Sequence, residues 1–138
     1  MKEVRILSLD NRGRIVIPHT VRKTLGIQAS SQIMLIADSE TKEVKIKPIG
    51  MVTDSPIKFR ITMEDSPGSL GKIATTFGKY GISLVYGEAL TVEKDKVAVW
   101  TVIGPSPDKI GLEKFKEILL TEGDALDVEI IPLLEEDE

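Results

Sequence analysis

From Lys58 to Met63 the chain alternates, with Phe59, Ile61 and Met63 on one face, which predicts a half-buried strand. The turn residues Asp65-Ser66-Pro67-Gly68 follow. Leu70, Ile73, Ala74 and Phe77 then recur at i, i+3, i+4 and i+7, the stripe of an amphipathic helix that stops at Tyr80-Gly81. Ile82 to Val92 and Val97 to Ile103 read as two strands joined by the turn Glu93-Lys94-Asp95-Lys96. Gly87 marks a bulge or a close backbone contact in the first of them. A second helix is predicted from Ser106-Pro107, with Leu112, Phe115 and Leu119 inward, and a closing strand from Leu126 to Leu133. The predicted order is βαββαβ, the ferredoxin-like α+β sandwich of a four-stranded antiparallel sheet backed by two helices.

The pattern ahead of Lys58 is different. Arg5 to Leu9 and Arg14 to Ile17 read as short strands around the turn Asp10-Asn11-Arg12-Gly13. Pro18 suits the first turn of a short helix ending at Gly26, with Val21 and Leu25 on one face. Gln32 to Ala37 and Glu43 to Lys47 form a hairpin across residues 38–42. Ile15-Val16-Ile17 and Ile33-Met34-Leu35-Ile36 are apolar on both faces, and no aromatic residue precedes Phe59. So small a unit buries too little surface to offset its chain entropy, and a second copy is expected to cover it as an obligate, interlocked homodimer. Between the two patterns, Pro48 to Pro56 is rich in proline and turn formers. The expected domains are 1–50 (β-rich, dimerising), a linker at 51–56, 57–133 (α+β) and a solvated acidic tail at 134–138.

Composition narrows the chemistry. The 138 residues are 41% apolar and 29% charged, an ordinary globular balance. No apolar run approaches the roughly 20 residues of a membrane span, so a soluble protein is expected, without a membrane partner. The absence of cysteine excludes disulfides and thiolate chemistry and suits the cytoplasm. The single histidine, His19, excludes a multi-histidine metal cluster and reads as a surface or partly buried residue. With no convergent nucleophile, base and electrophile, no enzyme activity, cofactor or metal is expected. The net charge of −4 conceals an asymmetry. Residues 1–50 carry nine Lys and Arg against five Asp and Glu, a net of +4, and the remainder nine against seventeen, a net of −8. A basic unit that meets a polyanion is therefore expected in front.

The candidate contacts are Arg5, Arg12, Arg14, Arg22 and Lys23. Doubled in a dimer they supply on the order of ten cations, enough to displace several counterions from a duplex. A single strand needs ring faces for its bases, which this unit lacks. Double-stranded DNA is the expected partner. In the rear unit, Gly68-Ser69-Leu70-Gly71-Lys72-Ile73 fails as a phosphate loop, because it has two residues rather than four before Gly-Lys and no following Ser or Thr.

The segment Leu9 to Pro18, with its Gly-Arg-aliphatic-aliphatic-Ile-Pro core, and the continuation Val21-Arg22-Lys23-Thr24-Leu25-Gly26-Ile27 resemble the swapped-hairpin DNA-binding domain of the AbrB/SpoVT/MazE family. The resemblance covers residues 4 to about 48. It implies interleaved chains and basic DNA-facing positions at Arg14, Arg22 and Lys23, although Leu7 stands where members often carry a basic residue. Phe59 to Leu70, the helix through Phe77 and Tyr80 to Leu84 resemble the ACT domain, over residues 57 to about 133. That resemblance implies a small-molecule effector, an amino acid, lined by Asp65, Ser66, Pro67, Gly68, Ser69, Leu70 and Ser83. Amides at the helix start would meet its carboxylate and Asp65 its ammonium. Asp65 and Ser83 stand where amino-acid-binding members often have asparagine.

The implied function is a homodimeric, cytoplasmic transcription regulator that binds DNA and senses a metabolite. Two dimerising units per chain also allow a tetramer. The alternatives are a regulatory subunit of an amino-acid biosynthetic enzyme that does not bind DNA, and a MazE-like antitoxin.

Overall fold

The structure, a computed structural model, describes residues 2–49 and 55–133. Most of the expected linker, at residues 51–54, and the acidic tail at 134–138 lie outside them. The chain divides into two compact units between residues 52 and 53.

In the front unit the elements are α1 (His19–Leu25), β1 (Ile33–Asp38) and β2 (Glu43–Pro48). The last two pair antiparallel, from Ile33 opposite Pro48 to Asp38 opposite Glu43. Pro18 precedes α1, where its missing N–H costs nothing. Gly26, at φ 71°, closes the helix. Its amide donates to the Lys23 carbonyl (3.2 Å) and the Ile27 amide to the Arg22 carbonyl (3.0 Å), the paired bonds of a left-handed helix stop. Residues 5–9 and 14–17 are not strands in this chain, contrary to the pattern. Their turn is formed, with the Asp10 amide bonded to the Arg14 carbonyl at 3.0 Å and the Gly13 amide to the Asp10 carbonyl at 3.1 Å, but no described neighbour supplies a ladder.

The rear unit runs β3 (Pro56–Glu64), α2 (Ser69–Lys79), β4 (Tyr86–Glu93), β5 (Val97–Pro105), α3 (Leu112–Thr121) and β6 (Asp127–Pro132). Its four strands lie in the order β4-β5-β3-β6, every neighbouring pair antiparallel. The alternation along β3 sends Ile57, Phe59, Ile61 and Met63 into the core, where Ile73 and Phe77 of α2 and Phe115 and Leu119 of α3 meet them. Both helices therefore cover one face. Phe59, Phe77 and Phe115 form an edge-to-face triangle with centroids 5.2 to 5.9 Å apart, a geometry that places positive ring edges on negative ring faces.

Three details depart from the sequence pattern. Residues 82–85 are not strand, because Ile82 instead closes α2: its amide bonds to the Phe77 carbonyl (3.0 Å) beyond Gly81 at φ 71°. The second helix starts at Leu112, since Gly111, at φ 91°, ends a separate turn after Pro107 in which its own amide bonds to the Pro107 carbonyl at 2.7 Å. Within the predicted stripe of α2, Leu70 and Ala74 are exposed.

Gly123 follows α3 with no room for a side chain: a Cβ there would sit 2.7 Å from the Leu119 carbonyl oxygen, a backbone atom that cannot swing away. Gly123→Ala is expected to cost about 1–3 kcal/mol of stability in urea denaturation. Gly78→Ala, in open space within α2, is expected to gain about 0.5–1 kcal/mol. Shifts of the same sign in both would contradict this packing.

Candidate functional site

The two groups of candidate residues lie in different units and are taken separately. In the front unit the five cations do not form one population. Arg5 donates from Nε to Glu3 (2.9 Å) and from a terminal nitrogen to Thr20 Oγ1 (2.9 Å), and Arg14 Nε donates to Asp10 at 2.8 Å. Asp10 also accepts the backbone amides of Arg14 and Arg12, both at 2.9 Å. These bonds, the Arg14 amide first, hold its carboxyl below the usual carboxylate range. Arg22 and Lys23, in contrast, have no ion pair among the described residues. They lie with His19 around a concavity of about 410 Å³ beside α1.

A depressed acid stabilises its partners above the ordinary carboxylate pKa of ~4. That contribution is lost as the pH falls through Asp10's lower folded value. Acidification is therefore expected to release Arg14, read as a shift of its side-chain NMR resonances that Asp10→Asn abolishes. A pH-independent Arg14 signal would contradict the clamp.

In the rear unit a cleft of about 580 Å³ opens at the start of α2. One wall is residues 66–69 with Lys72; the other is residues 123–126, with Glu64 from the end of β3. Gly68, at φ 90°, turns the chain into the helix, which carries no side-chain cap. Its first-turn amides are thus not closed off by a side chain. Ser66 and Ser69 share a hydroxyl hydrogen bond of 2.8 Å, and Lys72 is ion-paired with Asp124 across the cleft. The far wall is fixed by the Ala125 amide on the Leu119 carbonyl (3.0 Å) and the Leu126 amide on the Thr62 carbonyl (2.8 Å).

The predicted ligand residues divide among three places. Ser66, Pro67, Gly68 and Ser69 line the large cleft. Asp65 and Leu70, with Ser66 and Ser69, line a smaller cleft of about 220 Å³ toward β4 and β5. Asp65 is also tied to the β4–β5 turn, accepting the Asp95 amide at 2.7 Å and donating its own amide to the Lys96 carbonyl at 3.2 Å. Ser83 lines neither cleft and lies beside Gly104 instead.

Sequence reasoning missed Lys72 and Asp124. Their signal was present: Gly123-Asp124 is a turn-forming pair just after a helical stripe, and Asp124 adopts the left-handed φ of 56° that aspartate tolerates. It also missed a cluster where α2 and α3 end, in which Glu122 accepts from Lys79 Nζ and Tyr80 Oη, both at 2.6 Å. Among the described residues no three His, Asp or Glu side chains gather as a metal site, and no helix is long and apolar enough to cross a membrane.

No family model matches the chain, and no curated protein matches it. Among solved structures it is similar to LarC2, the C-terminal domain of a cyclometallase involved in the synthesis of the NPN cofactor of lactate racemase, in the apo form. The identity is 19% and the TM-score 0.43, over 58% of this chain and 55% of that one. The chain thus spans about half the length of that structure.

The identification with AbrB/SpoVT/MazE and ACT domains is corrected on these findings: no family model matches, and the solved structure named above is described as a cyclometallase domain, of neither kind. The reading as a DNA-binding transcription regulator with an ACT sensor, together with its two alternatives, falls with it. The front unit supplies a physical reason. Arg5 and Arg14 are neutralised within the chain, so the single cationic surface assumed for a duplex is divided. At this identity and TM-score the likeness assigns no activity in turn.

Proposed function

We propose that the chain is a cytoplasmic binding protein rather than a catalyst. It is a homodimer closed through its front units, with a cleft for a small zwitterionic ligand in each rear unit. One observation carries the reading. Val4, Ile6, Leu7, Leu9, Ile15, Val16, Leu35 and Val44 are all exposed, Ile6 at 98% and Val16 at 78%, whereas Ile27 is the one buried hydrophobic among the front unit's described residues. A unit with that surface has no core of its own, and its extended segments leave backbone donors and acceptors that strands of a second copy satisfy.

Hydrogen exchange on the full chain tests the closure: the amides of residues 4–9 and 14–17 are expected to be protected. Exchange at the free-peptide rate would reject it.

The rear cleft favours a zwitterion because it joins helix-start amides that no side chain caps, which suit a carboxylate, to Glu64, which suits an ammonium and, unlike Asp124, has no ion pair among the described residues. Titration calorimetry with the twenty amino acids is expected to give at least one binder, weakened about tenfold or more by Glu64→Gln. Absence of binding across the panel would reject a ligand of this type.

A further inference from the structure

His19, Arg22 and Lys23 stand at i, i+3 and i+4 of α1 and therefore share one helix face. They line the front-unit concavity of about 410 Å³, whose remaining wall is Gly26, Ile27, Gln28 and Ala29. No carboxylate lines it, although the chain as a whole carries more acids than bases. The neighbouring arginines differ: Arg5 and Arg14 each hold an acid, while none of these three groups has an ion pair among the described residues. Arg22 and Lys23, adjacent cations with no carboxylate beside them, repel each other, which a multivalent anion would relieve.

The surroundings are ordered around that charge. Arg22 donates a guanidinium N–H to the Ile17 carbonyl, which orients the planar group on the helix flank and leaves its other donors. Past the helix, the Ile27 amide on the Arg22 carbonyl (3.0 Å) and the Gly26 amide on the Lys23 carbonyl (3.2 Å) fold the chain back, so the far wall has a fixed place relative to the two cations. Ile27, 9% exposed, and Ala29 give that wall an apolar part. The volume exceeds what a bare inorganic phosphate fills.

We infer that this concavity is a second ligand site, distinct from the rear cleft, for a small organic molecule bearing a phosphate group. The phosphate lies against Arg22 and Lys23, with His19 at the rim, and the organic body rests on Ile27 and Ala29. Arg supplies a planar fork for two phosphate oxygens and Lys a point charge, the division of labour common in phosphate recognition.

The test is titration calorimetry on the full chain with inorganic diphosphate and glycerol 3-phosphate, with citrate as a carboxylate of comparable charge. Saturable binding of either phosphate compound at one equivalent per chain is expected, about tenfold or more tighter than citrate. Lys23→Gln should weaken it about tenfold, whereas Lys45→Gln on β2 should not change it. Arg22 is spared because it also bonds to backbone. Equal losses in both variants, equal binding of citrate, or binding that never saturates would overturn the site. So would a short DNA duplex that binds more tightly than either compound and is lost in Lys23→Gln.

Discussion

Replacing Phe77 with alanine lowers the stability of the rear unit by about 3–5 kcal/mol, the largest single-residue loss expected in the chain. Phe77 is 1% exposed and its ring meets residues of β3, β5 and α3 in the core. Its ring meets Phe59 at 5.4 Å, Phe115 at 5.2 Å and Trp100 at 6.1 Å, each edge to face. Its carbonyl also accepts the Ile82 bond that ends α2. Truncation removes one corner of the aromatic triangle and leaves a cavity between sheet and helices, and the loss is a large fraction of a small domain's total stability. Urea denaturation followed by Trp100 fluorescence reads the effect, with Leu90→Ala as a control, since Leu90 is 65% exposed and is expected to change stability by no more than about 0.5 kcal/mol. Similar losses in both variants would contradict the core as described.

Placing aspartate at both Ile6 and Val16 is expected to raise the dimer's dissociation constant about a hundredfold or more. With Val4 these are the most exposed large apolar side chains of the front unit, and a charge at each would be buried without a partner when the second copy closes. The rear unit should unfold as before, because its core is made entirely of residues from Ile57 to Val128. Sedimentation velocity over a range of concentrations measures the first effect and the urea transition the second. An unchanged dissociation constant would remove these residues from the interface.

The sequence was most legible where one face of an element was buried within the chain. Phe59, Ile61 and Met63 announce β3 because alternate positions meet opposite environments, and Ile73 and Phe77 announce α2 because both sit under the sheet. It was less legible where an element's end is set by backbone bonds rather than by polarity. Ile82 looks like the first residue of a strand, yet its amide stops a helix, and Gly111 divides what reads as one helix from Ser106. Ile6, Leu9 and Val16 look like strand residues of a core that the single chain does not possess.

The candidate site shows the same division. The run 65–70 pointed to the start of α2 because proline and glycine fix a turn there, but only the fold brings Asp124 back to Lys72 from 52 residues away. Asp65, the acid chosen from the sequence, bonds instead to the β4–β5 turn. Charge counting found an excess of cations ahead of residue 50 and could not see that Glu3 and Asp10 hold two of them.

The central claim is that the front unit is completed by a second copy, and the mass of the full chain in solution tests it most directly. Sedimentation equilibrium at micromolar concentration is expected to give twice the 15.2 kDa of one chain, falling toward one chain in the Ile6→Asp, Val16→Asp variant. A stable, folded species of 15.2 kDa at all concentrations would contradict it.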